Sequence, residues 1–185
     1  MKKLCCMLLL TLLTTFPAAA KEIGGVTMPD TLKAGNETLL LNGVGLRSKF
    51  FIKVYAGGLY LRAKSSDAEA VINEDAPMAI RMQFIHDGVS AEKLIAAWNE
   101  GFSNAGNTKA IQKEIDTFNS WFTAEAKKGD IYDIIYTPGQ GARLYIKEKL
   151  MGTITGTEFK KALFSIWLGE KPADKDLKQG MLGKE

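Results

Sequence analysis

Cysteine and histidine are almost missing from this 185-residue chain. Its two cysteines, Cys5 and Cys6, are adjacent at the N-terminal end, and its one histidine is His86. Common zinc sites draw three or four ligands from these residue types, so they are excluded. A carboxylate-only metal site stays open, but no spacing of Asp and Glu proposes one. Ordered glycine motifs are missing too. Gly43-Val44-Gly45 has no third glycine at the dinucleotide spacing, and Arg47-Ser48 follows instead. There is no phosphate loop and no nucleophile-elbow sequence. His86 stands beside Asp87, but no activated serine can be nominated, so it reads as a solvated loop histidine rather than half of a catalytic dyad. Nothing implies a cofactor.

Long apolar runs are absent after the first twenty residues. Lys2 and Lys3 precede the uncharged run Leu4 to Leu13, and Ala18-Ala19-Ala20 follow. That order reads as a cleaved secretory signal peptide over residues 1–20, with a working domain over 21–185. The run is about ten residues long, against about twenty for a membrane span, so no anchor is expected after cleavage. The compact Lys-Lys layout suggests a bacterial signal and a periplasmic destination. Both cysteines would leave with the leader, and with them any disulfide or catalytic thiol. Lys2 and Lys3 would leave too, so 22 of the 24 basic side chains remain against 21 acidic ones. A net charge near +1 gives no electrostatic case for nucleic acid or for an acidic membrane surface.

The remaining chain shows no repeat, linker or low-complexity tract, and one domain is the default. Thr38 to Leu41 reads as a short strand before a turn at Asn42 to Gly45. Lys49 to Leu61 reads as one long strand, with Phe50, Ile52 and Val54 on one face and Phe51, Lys53 and Tyr55 on the other. Gly57-Gly58 inside it suggests a bulge or a close backbone approach. Ser66 and Glu69 resemble a capping box for a short helix. Ile80, Met82 and Phe84 alternate inward along a strand. Ser90 caps a helix carrying Leu94, Ile95, Trp98 and Phe102, with Gly106 as its stop. A second helix is expected over 108–128. Ile131 to Thr137, Ala142 to Ile146 and Leu150 to Thr155 form a meander. Helices over 158–168 and 174–181 end the chain. Strands in hairpin runs with grouped helices argue an α+β fold, an antiparallel sheet with helices on one face. The other face would then be free to form a ligand cleft.

Two segments carry a resemblance. Leu41 to Leu61, LNGVGLRSKFFIKVYAGGLYL, resembles the N-terminal signature of the chalcone isomerase-like superfamily. Phe164 to Lys178, FSIWLGEKPADKDLK, resembles its C-terminal helix, stop and final helix. Ser90 to Phe102 takes the place of that family's cleft-lining helix. The likeness is nearest to the short bacterial members. It implies an open-faced β-sandwich, and either cyclisation of chalcones or non-catalytic binding, in some members of fatty acids. Of the enzymes' five polar positions, the arginine falls on Arg47. The strand threonine falls on Tyr55, the helix tyrosine and asparagine near Val89 and Ala96, and the late threonine on Ile166. Only the arginine is kept.

Arg47 can grip a carboxylate through two parallel hydrogen bonds, and a tyrosine hydroxyl can add a third. The fatty-acid-binding branch resembles this pair. Arg47 and Tyr55 are therefore the expected ligand-binding residues, with Lys53, Trp98, Phe102 and Ile166 as candidate cleft lining. The expected ligand is a fatty acid or another small apolar, lipid-derived acid. Two other classes stay open: an isomerase (intramolecular lyase) acting on a chalcone-like enone, and a structural or partner-binding envelope protein.

Overall fold

A computed structural model describes residues 20–184. The leader expected over residues 1–20 lies, apart from Ala20, outside the described residues. The described strands are β1 (Lys21–Ile23), β2 (Val26–Met28), β3 (Thr31–Ala34), β4 (Glu37–Lys49), β5 (Ile52–Leu61), β6 (Met78–Phe84), β7 (Ile131–Thr137), β8 (Gly141–Ile146) and β9 (Lys149–Ile154). The helices are α1 (Ala68–Asn73), α2 (Ala91–Asn104), α3 (Gln112–Ser120), α4 (Thr157–Leu168) and α5 (Lys175–Met181). Strands β3 to β9 pair in sequence order as one curled antiparallel sheet with the helices on one side. The expected α+β class holds. Residues 20–184 carry the whole sheet, the helix layer and both apolar cores.

Alternation along the strands divides the molecule. Ile80, Met82 and Phe84 of β6 are buried against the helices with Trp98, Phe118 and Trp167. The opposite face is not free. Val26, Met28, Leu32 and Leu39 cover it and bury Ala56, Tyr60 and Ala79 in a second core. Leu39 belongs to the long β4, but β2 and β3, with three and four residues, are too short to show a convincing period, so the sequence did not reveal the cover. Among the described residues, that face is occupied by this core where a ligand cleft was expected.

The greatest departure is at the start of the family-like segment. Asn42 to Gly45 is not a turn but strand interior, and β4 runs on to Lys49. Its partner β5 begins at Ile52, so Phe50 and Phe51 form a two-residue hairpin turn. Both have left-handed backbones, with φ of 49° and 66°. That costs about 1–2 kcal/mol per residue for side chains of this kind. Nothing in an apolar, β-favouring pair announces such a turn. Two smaller corrections concern helices. Asp67, not Ser66, caps α1, accepting from the Ala70 N–H at 3.0 Å. The second long helix stops at Ser120, and the chain beyond it bridges Ala126 to Val89.

Helix α5 returns to lie directly on β4. A Cβ on Gly45 would stand 2.7 Å from both the Cα and the carbonyl oxygen of Leu177, and one on Gly43 would stand 2.2 Å from the Gly180 oxygen. The contact is backbone on backbone, and only glycine leaves room for it. Gly57-Gly58 pairs in regular register with Gly45 and Val44, so it marks a close approach rather than a bulge. Beside the contact, the buried Asn42 amide donates to the Ser65 and Met181 carbonyls and accepts from the Ser65 N–H. Elsewhere in the layer, buried Lys160 of α4 donates to the Ile72 and Glu74 carbonyls at 2.7 Å, closing the end of α1. Burial holds its ammonium pKa down, at about 8.

Gly45→Ala should force α5 off β4. The expected loss is about 2 kcal/mol, read as a lower urea midpoint with an unchanged slope.

Candidate functional site

Strand register sets the site. Arg47 of β4 pairs directly with Tyr55 of β5, so the two side chains leave the sheet on the same face, with Cβ atoms about 5 Å apart. The next pair is Ser48 with Lys53, which leaves Val54 over as a bulge. The Val54 carbonyl accepts from both the Ile85 and His86 N–H groups, at 2.9 and 3.1 Å. The extra residue breaks the alternation. Val54 and Ile52 thereby join Tyr55 in lining a cavity, while Lys53 turns out to solvent.

Arg47 is held from below. Its guanidinium donates to the Ser48 carbonyl and stands 3.6 Å from Asp174 Oδ2. The same carboxylate oxygen accepts from the Ser48 N–H at 3.0 Å, and the other caps α5 by accepting from Asp176 and Leu177. A guanidinium carries five N–H donors in a fork, so these contacts leave capacity for a second acid.

Tyr55 is held from behind. Its hydroxyl oxygen accepts from the Trp167 Nε1–H at 2.9 Å. With that acceptor role taken, the phenol proton is left to donate. Burial pushes the Tyr55 pKa up to about 12, against the lowering effects of the Trp167 bond and the Arg47 charge. The phenol is therefore neutral over the physiological range.

Arg47 and Tyr55 open on one cavity of about 480 Å³ between the sheet and α2. It lies on the helix side, opposite to the face first expected. Met82, Phe84, Leu94 and Trp98 give it an apolar wall. The other positions matched to the family's polar residues, Val89, Ala96 and Ile166, line it as well. Four of the six expected site residues thus meet: Arg47, Tyr55, Trp98 and Ile166. Two do not. Lys53 is exposed for the reason just given. Phe102 is 1% exposed, packs against Phe118 and Phe159, and touches a different, polar hollow between α2 and α3. One helical turn beyond Trp98 it faces α3 and α4 instead of the cavity.

Asp174 and Trp167 are the residues supporting this pair that sequence reasoning missed. The sequence places Asp174 at the start of the last helix, where it is in fact the cap, but its strand partner lies 126 positions earlier. Trp167 reads as plain core, and only its Nε1 reveals a second duty. The Trp98 Nε1–H, by contrast, is buried with no partner among the described residues. His86 is exposed on the cavity rim. Among the described residues, no cluster of three potential metal ligands occurs.

What the arrangement can do chemically is bounded by these groups. A fixed cation and a neutral hydroxyl donor face an apolar space, the complement of an acid head on an apolar body. The family model described as chalcone isomerase-like matches residues 20–183. The sequence is 23% identical over 193 aligned residues to "Fatty-acid-binding protein 1" of Arabidopsis thaliana, spanning 85% of this chain and 67% of that protein. A crystal structure of an Arabidopsis thaliana fatty-acid-binding protein superposes with a TM-score of 0.74 at 19% identity, over 89% of this chain and 96% of that one. The superposition carries the likeness of fold.

The raised Tyr55 pKa has a sign in stability. Its contribution is whole below pH 10, the ordinary tyrosine value, and is lost as pH rises through about 12. Tyr55→Phe should be less stable than wild type by about 1 kcal/mol at neutral pH, with Trp167 left unpaired. Above about pH 10 the gap in melting temperature should narrow, because only wild type gains an ionising group on unfolding. A gap that stays constant across the alkaline range would show that Tyr55 titrates normally.

Proposed function

The chain belongs to the chalcone isomerase-like family, and from that membership and the geometry at Arg47 we propose that it binds a fatty acid or similar small apolar carboxylate without turning it over. The carrying observation is that Arg47 and Tyr55, register partners, face one apolar cavity of about 480 Å³. Small-ligand pockets run roughly 300–1,000 Å³ with a few placed polar groups. The acid head takes the guanidinium through two N–H bonds and the Tyr55 hydroxyl through a third. The tail lies along Phe84, Leu94 and Trp98. The fatty-acid-binding relative supports the same ligand class.

Isomerase chemistry has less support. Cyclisation needs donors aimed at a developing enolate, worth about 3 kcal/mol for a single donor. At the positions the enzymes use, this chain places Val89, Ala96 and Ile166, which have no side-chain donor. A purely structural role with a filled cleft fits poorly with the open space at Arg47. Export of the domain to the periplasm belongs to the same proposal, since the charge, apolar run and small residues of positions 1–20 support it. Sequencing the N-terminus of protein recovered from an envelope fraction checks that part, and an intact Met1 would reject it.

Displacement of a fluorescent fatty acid tests the binding. Arg47→Ala should weaken it by about 2 kcal/mol, roughly thirtyfold in Kd. Asp174→Asn should do the reverse. Asparagine still caps α5, but the negative charge beside Arg47 is gone. The expected gain is about 1 kcal/mol, near fivefold. Wild type that binds no acyl chain of any length would end the proposal.

A further inference from the structure

We propose that the tip of the β4–β5 hairpin is a docking element for an anionic phospholipid bilayer, seating the cavity mouth on the lipid surface. Phe50 is 85% exposed, Phe51 is fully exposed and the following Ile52 is 47% exposed. Among the described residues only Leu40 and Leu150 are other large apolar side chains exposed to this degree. Leu40 lies at the far end of β4, paired with Leu61, and Leu150 lies on β9, so the apolar surface at the tip is concentrated in three consecutive residues.

The turn itself does not require this. Lys147 and Glu148 at the β8–β9 corner adopt φ of 52° and 66°, nearly the same geometry, with two charged side chains that water solvates. Two-residue turns of this hand ordinarily use Asn-Gly. The tip thus holds aromatic residues where neither the backbone nor water favours them, and such outliers point to function. Aromatic rings are at home at the boundary between headgroups and acyl chains.

Charge selects the surface. Lys49 and Lys53 flank the tip, both are exposed, and neither forms an ion pair with a carboxylate among the described residues. Lys93 of α2 stands on the same cavity rim, with Glu100 as the acidic group there. A near-neutral total charge gave no case for an acidic membrane surface, but a total does not register where the lysines sit. Short basic clusters beside apolar anchors are attracted to anionic lipid. The tip is also continuous with the cavity, since Lys49, Phe50 and Ile52 line its mouth. An acyl chain could pass between bilayer and cavity without crossing open water. This inference adds a surface to the ligand-binding reading and is tested independently of it.

Co-sedimentation of protein carrying residues 20–185 with vesicles is the experiment, using phosphatidylglycerol mixed with phosphatidylcholine and phosphatidylcholine alone. Wild type should pellet with the mixed vesicles and be released by high salt. Phe51→Asn and Lys53→Glu should each weaken pelleting by about tenfold. Phe51 and Lys53 lie outside the cavity lining, so both variants should keep the wild-type affinity for fatty acid in solution. Asn is suited to the left-handed turn, so the melting temperature of Phe51→Asn should not fall. Wild type that stays in solution with anionic vesicles, or Phe51→Asn that pellets as well as wild type, would overturn the proposal. So would a dimer abolished by Phe51→Asn without vesicle binding, which would assign the tip to a second copy. Fatty-acid binding without pelleting would overturn docking and leave the ligand reading standing.

Discussion

The approach of α5 to β4 is the constraint on which the rest of the site depends. Three glycines, Gly43, Gly45 and Gly180, let two backbones meet without side chains between them. That contact fixes where the last helix begins, and its first residue outside, Asp174, is the cap. One carboxylate then does three things. It closes the helix, holds the Ser48 N–H at the end of β4, and stands 3.6 Å from the Arg47 guanidinium. A half-buried arginine at a cavity wall would otherwise have a wide choice of rotamers. Here the protein's own acid restricts it, leaving the remaining donors to face the open space. The same acid opposes a second carboxylate, so the site is organised at some cost in affinity.

Tyr55 is organised by a parallel device. The Trp167 indole occupies its oxygen, burial keeps it neutral, and the β4–β5 register sets it beside Arg47. Hence Arg47 and Tyr55, both on the sheet, are each supported by a residue from the C-terminal helical segment. The cavity is where helix layer and sheet fail to close fully, next to the Val54 bulge. It is not a groove on a bare sheet face.

Much of this was legible in the sequence. The inward alternation of Ile80, Met82 and Phe84 and the helical spacing of Leu94, Trp98 and Phe102 gave the correct elements, because period alone determines which side is buried. Arg47 and Tyr55 came from the family-like pattern, and the cavity does bring them together. The errors have local causes. Phe50 and Phe51 continue an apolar alternation, and nothing in their chemistry signals a left-handed turn. The Val54 bulge reverses Lys53 without any mark such as Gly or Pro. The second helix has no stop signal at Ser120. Asp174 and Trp167 act through partners more than a hundred positions away, a relation that no local pattern contains.

The order of assembly follows from the meander. Each strand from β3 to β9 pairs with its neighbour in sequence, mostly across short turns, with α1 between β5 and β6 and with α2 and α3 between β6 and β7, so no pairing step spans most of the chain. The seating of α5 reaches furthest, joining segments separated by most of the chain. It can only be made once the C-terminal residues are available, whether the chain emerges from a ribosome or through a translocation channel. Until then β4 shows bare glycine backbone and Arg47 has no acid beside it. Completion of the chain and completion of the site are therefore the same event, and a product truncated before α5 would carry the sheet but not an organised guanidinium.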